Sequence, residues 1–141
     1  MKIAIIKTND VFHAKTHVEF LNKYFGTNYK QWMKCCYNIN STYEVWMIRF
    51  NKFKDNWTNT YQGNIIKDEN LNPNRVFWDN KPLPKTLYHK KLVFEIIDNN
   101  GSREYVFKGV YEYQQNESDP YKIIIYKKIA DYFNIQAFNT R

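Results

Sequence analysis

Two strand-like runs joined by Asn99-Asn100-Gly101 constrain this chain more than any other feature. From Lys91 to Asp98, Leu92, Phe94 and Ile96 alternate with Val93, Glu95 and Ile97. That period of two is the signature of a strand. Asn and Gly tolerate positive φ, so the three-residue break predicts a hairpin. Arg103 to Tyr113 reads as the returning strand, kinked at Gly109. A polar loop over 114–120 leads to a further strand, Tyr121 to Lys127. An antiparallel sheet carrying Tyr beside Lys and Arg follows directly, and it suits a polyanion with stackable faces.

The remainder of the chain adds helices and short strands. Lys2 to Lys7 reads as a short strand, and Thr16 to Tyr24 as a helix. Thr16 and Glu19 have the capping-box spacing, Val18, Leu21, Tyr24 and Phe25 supply an apolar face, and Gly26 supplies a stop. Asn28 predicts the cap of a second short helix, with Tyr29, Trp32, Met33 and Cys36 on one face. Tyr43 to Phe50 reads as a strand with Trp46, Ile48 and Phe50 on one side and Tyr43, Val45, Met47 and Arg49 on the other. Residues 51–60 are polar around Trp57, and Tyr61 to Asp68 predicts a strand interrupted at Gly63. Three prolines over 70–86 predict a loop that holds Trp78. Ile129 to Phe133 predicts a helical turn, and 134–141 a loose tail. The whole of 1–141 fits one domain of the α+β class, with short N-terminal helices on a curved antiparallel sheet or partly open small β-barrel.

Recognised catalytic patterns are absent from the sequence. His13, His17, Cys35 and Cys36 form a nominal zinc set, but zinc sites space their cysteines by two to four residues. Asp79-Asn80-Lys81, with Asp68 upstream, has the residue types of a metal-dependent nuclease, yet it lies between Trp78 and Pro82 in a predicted loop. Asp68-Glu69 reads as a solvated strand end. Only 4 Gly occur, and no phosphate-cradling loop is among them. Two adjacent cysteines exclude a disulfide scaffold and point to a reducing compartment. With no long apolar run, the expectation is a soluble, cytoplasmic protein without membrane contact, cofactor or metal.

Charge and aromatic content are the positive signal. Lys and Arg number 21 against 14 Asp and Glu, a net charge of +7. Such a balance draws anionic partners. Twelve Tyr, 10 Phe and 4 Trp exceed what a core of this size needs, so some rings are expected at the surface. Trp57 and Trp78 lie in polar segments. Lys54, Asn59 and Tyr61 flank the first and Arg75 the second, while Arg49 and Lys108 extend the basic rim. An indole can stack on a base, cations hold phosphates, and Asn reads a base edge.

The order of elements, from early helix through VWMIRF and the Trp57 segment to YVFKGVYEY and YKIIIYKKI, resembles the PUA-like modules that read nucleic acids. These include the EVE, ASCH and SRA-type domains linked to restriction systems. The resemblance spans Phe20 to Phe133. It implies an aromatic-lined concavity that holds a modified or flipped base, with Trp57, Tyr61 and Trp78 as walls and Asn59 as edge reader. The expected function is a non-enzymatic nucleic-acid-binding module with DNA or RNA as partner. Two alternatives remain at this point: a small phage or mobile-element inhibitor of a host defence protein, and a metal-dependent nuclease.

Overall fold

A computed structural model describes residues 5–32, 35–50, 53–54, 57–70, 85–119 and 122–135. The strands are β1 (Ile5–Lys7), β2 (Val11–His13), β3 (Cys36–Asn38), β4 (Tyr43–Ile48), β5 (Phe53–Lys54), β6 (Trp57–Gln62), β7 (Ile65–Asn70), β8 (Lys90–Asn99), β9 (Ser102–Tyr113), β10 (Ile123–Ala130) and β11 (Tyr132–Asn134). The α-helix α1 (His17–Tyr24) lies between β2 and β3, and a 3-10 turn (Lys85–Tyr88) precedes β8. The main sheet runs β3-β4-β8-β9-β10-β7-β6-β5, with β2 added beside β9. Its end strands β3 and β5 do not pair, so the curled sheet is open rather than a closed barrel. β4 and β8 are parallel, and the other pairings are antiparallel.

The central hairpin forms as its sequence dictates. Asn99 pairs with Ser102 across a two-residue turn in which Asn100 (φ 48°) and Gly101 (φ 88°) both take positive φ. Gly63 does not interrupt a strand. It turns a second hairpin, with Gln62 opposite Ile65 and φ at 60°. The polar 51–60 segment is therefore partly sheet, because β6 gains a full set of partners on β7.

Helix α1 begins where its cap demands. Thr16 Oγ1 accepts from the Glu19 amide at 3.1 Å, and the Glu19 carboxylate accepts from the Lys15 amide at 3.2 Å. Phe25 closes the last turn onto the Leu21 carbonyl, and Gly26 leaves at φ 68°. Phe20, Leu21 and Phe25 are buried, whereas Val18 is only half-buried, so the inward face is turned from the expected one. Phe20 stacks flat on Tyr105 at 4.1 Å and meets Phe94 at 5.0 Å. With Ile6, Phe12, Val45, Met47, Leu92, Phe107, Val110 and Phe133 they form the first core, between helix and sheet.

Three expected elements differ. Residues after Gly26 form no second helix among the described residues; Cys36 instead opens β3 opposite Trp46. The predicted turn at 129–133 is extended: β10 runs to Ala130, and β11 pairs with β1. Ile135, placed in the expected loose tail, is buried at 2% exposure in the first core.

The decisive local feature is a bulge in β9. Val93 faces Gly109, but Phe94 faces Phe107, so Lys108 is an extra residue. Simple alternation would put Tyr105, Phe107, Tyr111 and Tyr113 on one face. The bulge sends Tyr105 and Phe107 to the helix side and Tyr111 and Tyr113 to the other. Gly109 allows this at φ 119°, where an added Cβ would lie 2.9 Å from the Ala130 carbonyl oxygen.

Candidate nucleobase pit

The face of the sheet turned away from α1 carries a second core made of Trp46, Ile48, Phe50, Ile66, Leu87, Val93, Tyr111, Tyr113 and Tyr126. Cys36, Tyr61 and Ile124 pack against it. Strand register builds it in rows. Tyr61 lies beside Ile66, Ile66 beside Tyr126, and Tyr126 beside Tyr113 across four strands. The next row sets Asn59 beside Asp68 and Asp68 beside Ile124. Directly paired residues share a face, so Asn59 and Asp68 stand together over the aromatic row. Trp46 meets Tyr126 at 5.1 Å, Tyr61 meets Phe50 at 5.3 Å, and Tyr88 meets Tyr113 edge-on at 5.5 Å.

This core is unusual in what it seals away. Glu44 and Lys91, register neighbours on the parallel strands β4 and β8, form an ion pair with exposures of only 5% and 4%. Lys91 also donates to the Thr86 carbonyl. A desolvated pair of this kind holds only when both partners are present. Asp68 has Oδ1 shut from solvent with no hydrogen-bond partner among the described residues. Burial lifts its carboxyl to about 8, Cys35 adds to the rise, and the Lys91 ammonium opposes it. At neutral pH Asp68 is therefore mostly a carboxylic acid, with one O–H to give and one oxygen to accept. Burial likewise raises Tyr126 well above the phenol range, with Asp68, Cys36 and Glu44 adding to it. The Cys36 thiol is raised by its contact with the Cys35 thiol at 3.3 Å and by burial.

The expected site residues divide into groups. Asn59 and Tyr61 fall on the pit face, and Lys108 stands over the Tyr61 ring at 5.3 Å while pairing with Glu95 at 3.2 Å. Trp57 is in register with Asn70 and with Lys54 in the β5–β6–β7 edge, two residues along from Asn59. Arg75, Trp78 and the Asp79-Asn80-Lys81 triplet lie outside the described residues. Arg49 goes elsewhere. It grips Asp98 at 3.0 Å on the helix side, where Arg103 shares the same carboxylate at 3.1 Å. There Tyr105 also holds His17 at 2.7 Å, and burial with the two arginines lowers that imidazole to about 4. His13 faces Glu104 instead, so the histidines do not join the cysteines. Among the described residues no three His, Cys, Asp or Glu side chains converge to hold a metal. No helix among them is long and apolar enough to cross a membrane.

Sequence reasoning raised Asp68 only as an upstream acid for the Asp79-Asn80-Lys81 triplet and missed its place on this face. As half of an acidic pair after Ile65-Ile66 it reads as a solvated strand end. The usable signal is its parity: Asp68 is two residues from Ile66, and Ile66 is fully buried. An acid in phase with a core isoleucine needs a reason to be there.

Comparison with known proteins fits this architecture. Over 93% of its length the chain superposes on the 5-hydroxymethylcytosine-specific restriction enzyme AbaSI, with a TM-score of 0.67 and 22% sequence identity. It spans 42% of that enzyme's chain. Among curated proteins, none matches the chain. The family model of the SRA, or SET and RING associated, domain matches residues 1–135. With an open sheet of this strand order and a family model that matches nearly the whole chain, the protein belongs to the SRA domain family.

Proposed function

We propose that this chain is a DNA-reading module that takes a modified cytosine out of the duplex into the pit. The SRA family consists of DNA-binding domains that read modified bases, and AbaSI, similar in fold, is a 5-hydroxymethylcytosine-specific restriction enzyme. The observation that carries the proposal is the largely protonated carboxyl of Asp68, whose Oδ1 is shut from solvent with no partner among the described residues, beside an aromatic row. A buried polar group without a partner costs about 1–3 kcal/mol and persists where a ligand completes it. Cytosine offers a donor at N4 and an acceptor at N3 on its Watson–Crick edge. A neutral carboxyl offers the reverse pair. Thymine presents the opposite order, an acceptor at O4 and a donor at N3, which the carboxyl meets only with its proton on the other oxygen.

In this reading Asn59 supplies a further polar contact beside Asp68, and Trp46, Tyr61 and Tyr126 enclose the base by stacking and packing. Lys108 serves the phosphates, and Lys54, Trp57, Arg75 and Trp78 stay candidates for the rim. Arg49, committed to Asp98 on the opposite face, has no part in the pit. The module binds rather than cuts.

Binding of a duplex with one 5-hydroxymethylcytosine, against its unmodified twin, tests the proposal. Affinity for the modified duplex should be steady below about pH 7 and fall roughly tenfold per pH unit above about 8, as the carboxyl ionises. Asp68→Asn, whose amide keeps one donor and one acceptor, should bind without that pH dependence. Asp68→Ala should weaken binding of both duplexes, because the Watson–Crick edge is the same in each. Unchanged affinities in Asp68→Ala would refute the assignment.

A further inference from the structure

We propose that Tyr88 is a second aromatic contact to DNA, outside the pit, whose exposed ring stacks on a base next to the one being read. The inference rests on the DNA-reading proposal but uses different residues. Within the 3-10 turn Lys85–Tyr88, Leu87 is buried in the second core while Tyr88 is 55% exposed. A tyrosine this open is usually mobile, but this ring has a brace on one side and its turn is anchored. Its ring is braced edge-on by Tyr113 at 5.5 Å and 80°, and Tyr113 belongs to the pit. The Thr86 carbonyl two residues earlier accepts from the buried Lys91 ammonium and from the His89 amide. His89 Nδ1 is paired with the Asn38 side chain at 3.0 Å, and the Lys90 amide donates to the Thr42 carbonyl at 2.7 Å. The turn is thus anchored to β3, to the β3–β4 connection and to the buried ion pair.

The result is a pre-ordered ring at the edge of the pit, in a run that also contains His89 and Lys90. Pre-ordering lowers the entropy lost when a partner lands on it. Every base has a π-face, so such a contact is blind to sequence and to the C5 substituent. It adds affinity without adding selectivity, whereas Asp68 reads the hydrogen-bonding edge of the base in the pit.

That division of labour gives the test. Fluorescence anisotropy at low salt measures the affinity of the modified duplex and of its unmodified twin for Tyr88→Ala and Tyr88→Phe. Circular dichroism melts check that both variants fold. Tyr88→Ala should weaken both duplexes by the same factor, about 5- to 150-fold, and leave their ratio intact. Tyr88→Phe should stay within about twofold of the unaltered protein, because the ring face is kept. Unchanged affinities in Tyr88→Ala, or a changed ratio, would overturn the stacking role. If the unaltered protein binds both duplexes equally while Tyr88→Ala weakens both, the modified-base reading fails and the stacking contact stands. Absence of any DNA binding overturns both.

Discussion

Asp68→Asn should change how stability depends on pH, and it should do so without any DNA. The folded carboxyl is raised to about 8 from an ordinary value of 3.8, chiefly by burial. Below about pH 4 the folded and unfolded chains both hold the proton, and ionisation contributes nothing to the difference between them. Between about 4 and 8 the unfolded chain releases a proton that the fold retains. Stability of the unaltered protein therefore falls across that window and levels off above about pH 8. The shift, 8 minus 3.8 or about four units, corresponds to a ceiling of roughly 5–6 kcal/mol at 1.36 kcal/mol per unit. Asp68 as a residue keeps partial exposure, so about half of that, roughly 3 kcal/mol, is the working figure. Even that is a large share of the ~5–15 kcal/mol that a domain has in total. The amide of Asp68→Asn cannot ionise. Urea unfolding followed by tryptophan fluorescence, run from pH 4 to 9 on both proteins, isolates the effect. The stability difference should be near its minimum at pH 4 and grow by about 3 kcal/mol in favour of Asp68→Asn by pH 8.5. A constant offset only reports how the amide fits; the slope carries the information. Parallel curves would show that Asp68 ionises normally, and the neutral-acid account of the pit would go with them.

Two further outcomes test the frame that holds the pit. Gly109→Ala puts a Cβ 2.9 Å from the Ala130 carbonyl oxygen at φ 119°, so chemical denaturation should show a loss of about 2–4 kcal/mol, and a loss under 1 would refute the bulge geometry. Lys91→Met strands the Glu44 carboxylate in the second core and should cost about 3–5 kcal/mol, while adding Glu44→Leu should recover most of it. Additive losses in that double-mutant cycle would show that the pair is not buried as a unit.

Local chemistry was legible along the chain. Positive φ at Asn100 and Gly101, the Thr16 cap and the Gly26 stop depend on neighbours a few residues away, and each formed where the residues demanded. Strand alternation placed Trp46, Ile48 and Phe50 on one side of β4, and Leu92, Phe94 and Ile96 on one side of β8. The expected helix after Asn28 failed because a tertiary partner outweighed periodicity: Cys36 to Asn38 pair with β4 and extend the sheet edge. The polar stretch around Trp57 became strand for the same reason, through β7.

Net charge, aromatic excess and the hairpin were set by composition and local pattern, which belong to the amino-acid sequence alone. The site was not. Asn59 and Tyr61 became neighbours of Asp68, Tyr126 and Tyr113 only because β6, β7, β10 and β9 lie in that order, joining residues up to fifty or more positions apart in the chain. The bulge at Lys108 then chose which tyrosines of β9 face the pit. Whether Asp68 is a solvated acid or a sealed one depends on what covers it. Desolvation is a property of the packed surroundings, and no reading of nearest neighbours in sequence can supply it.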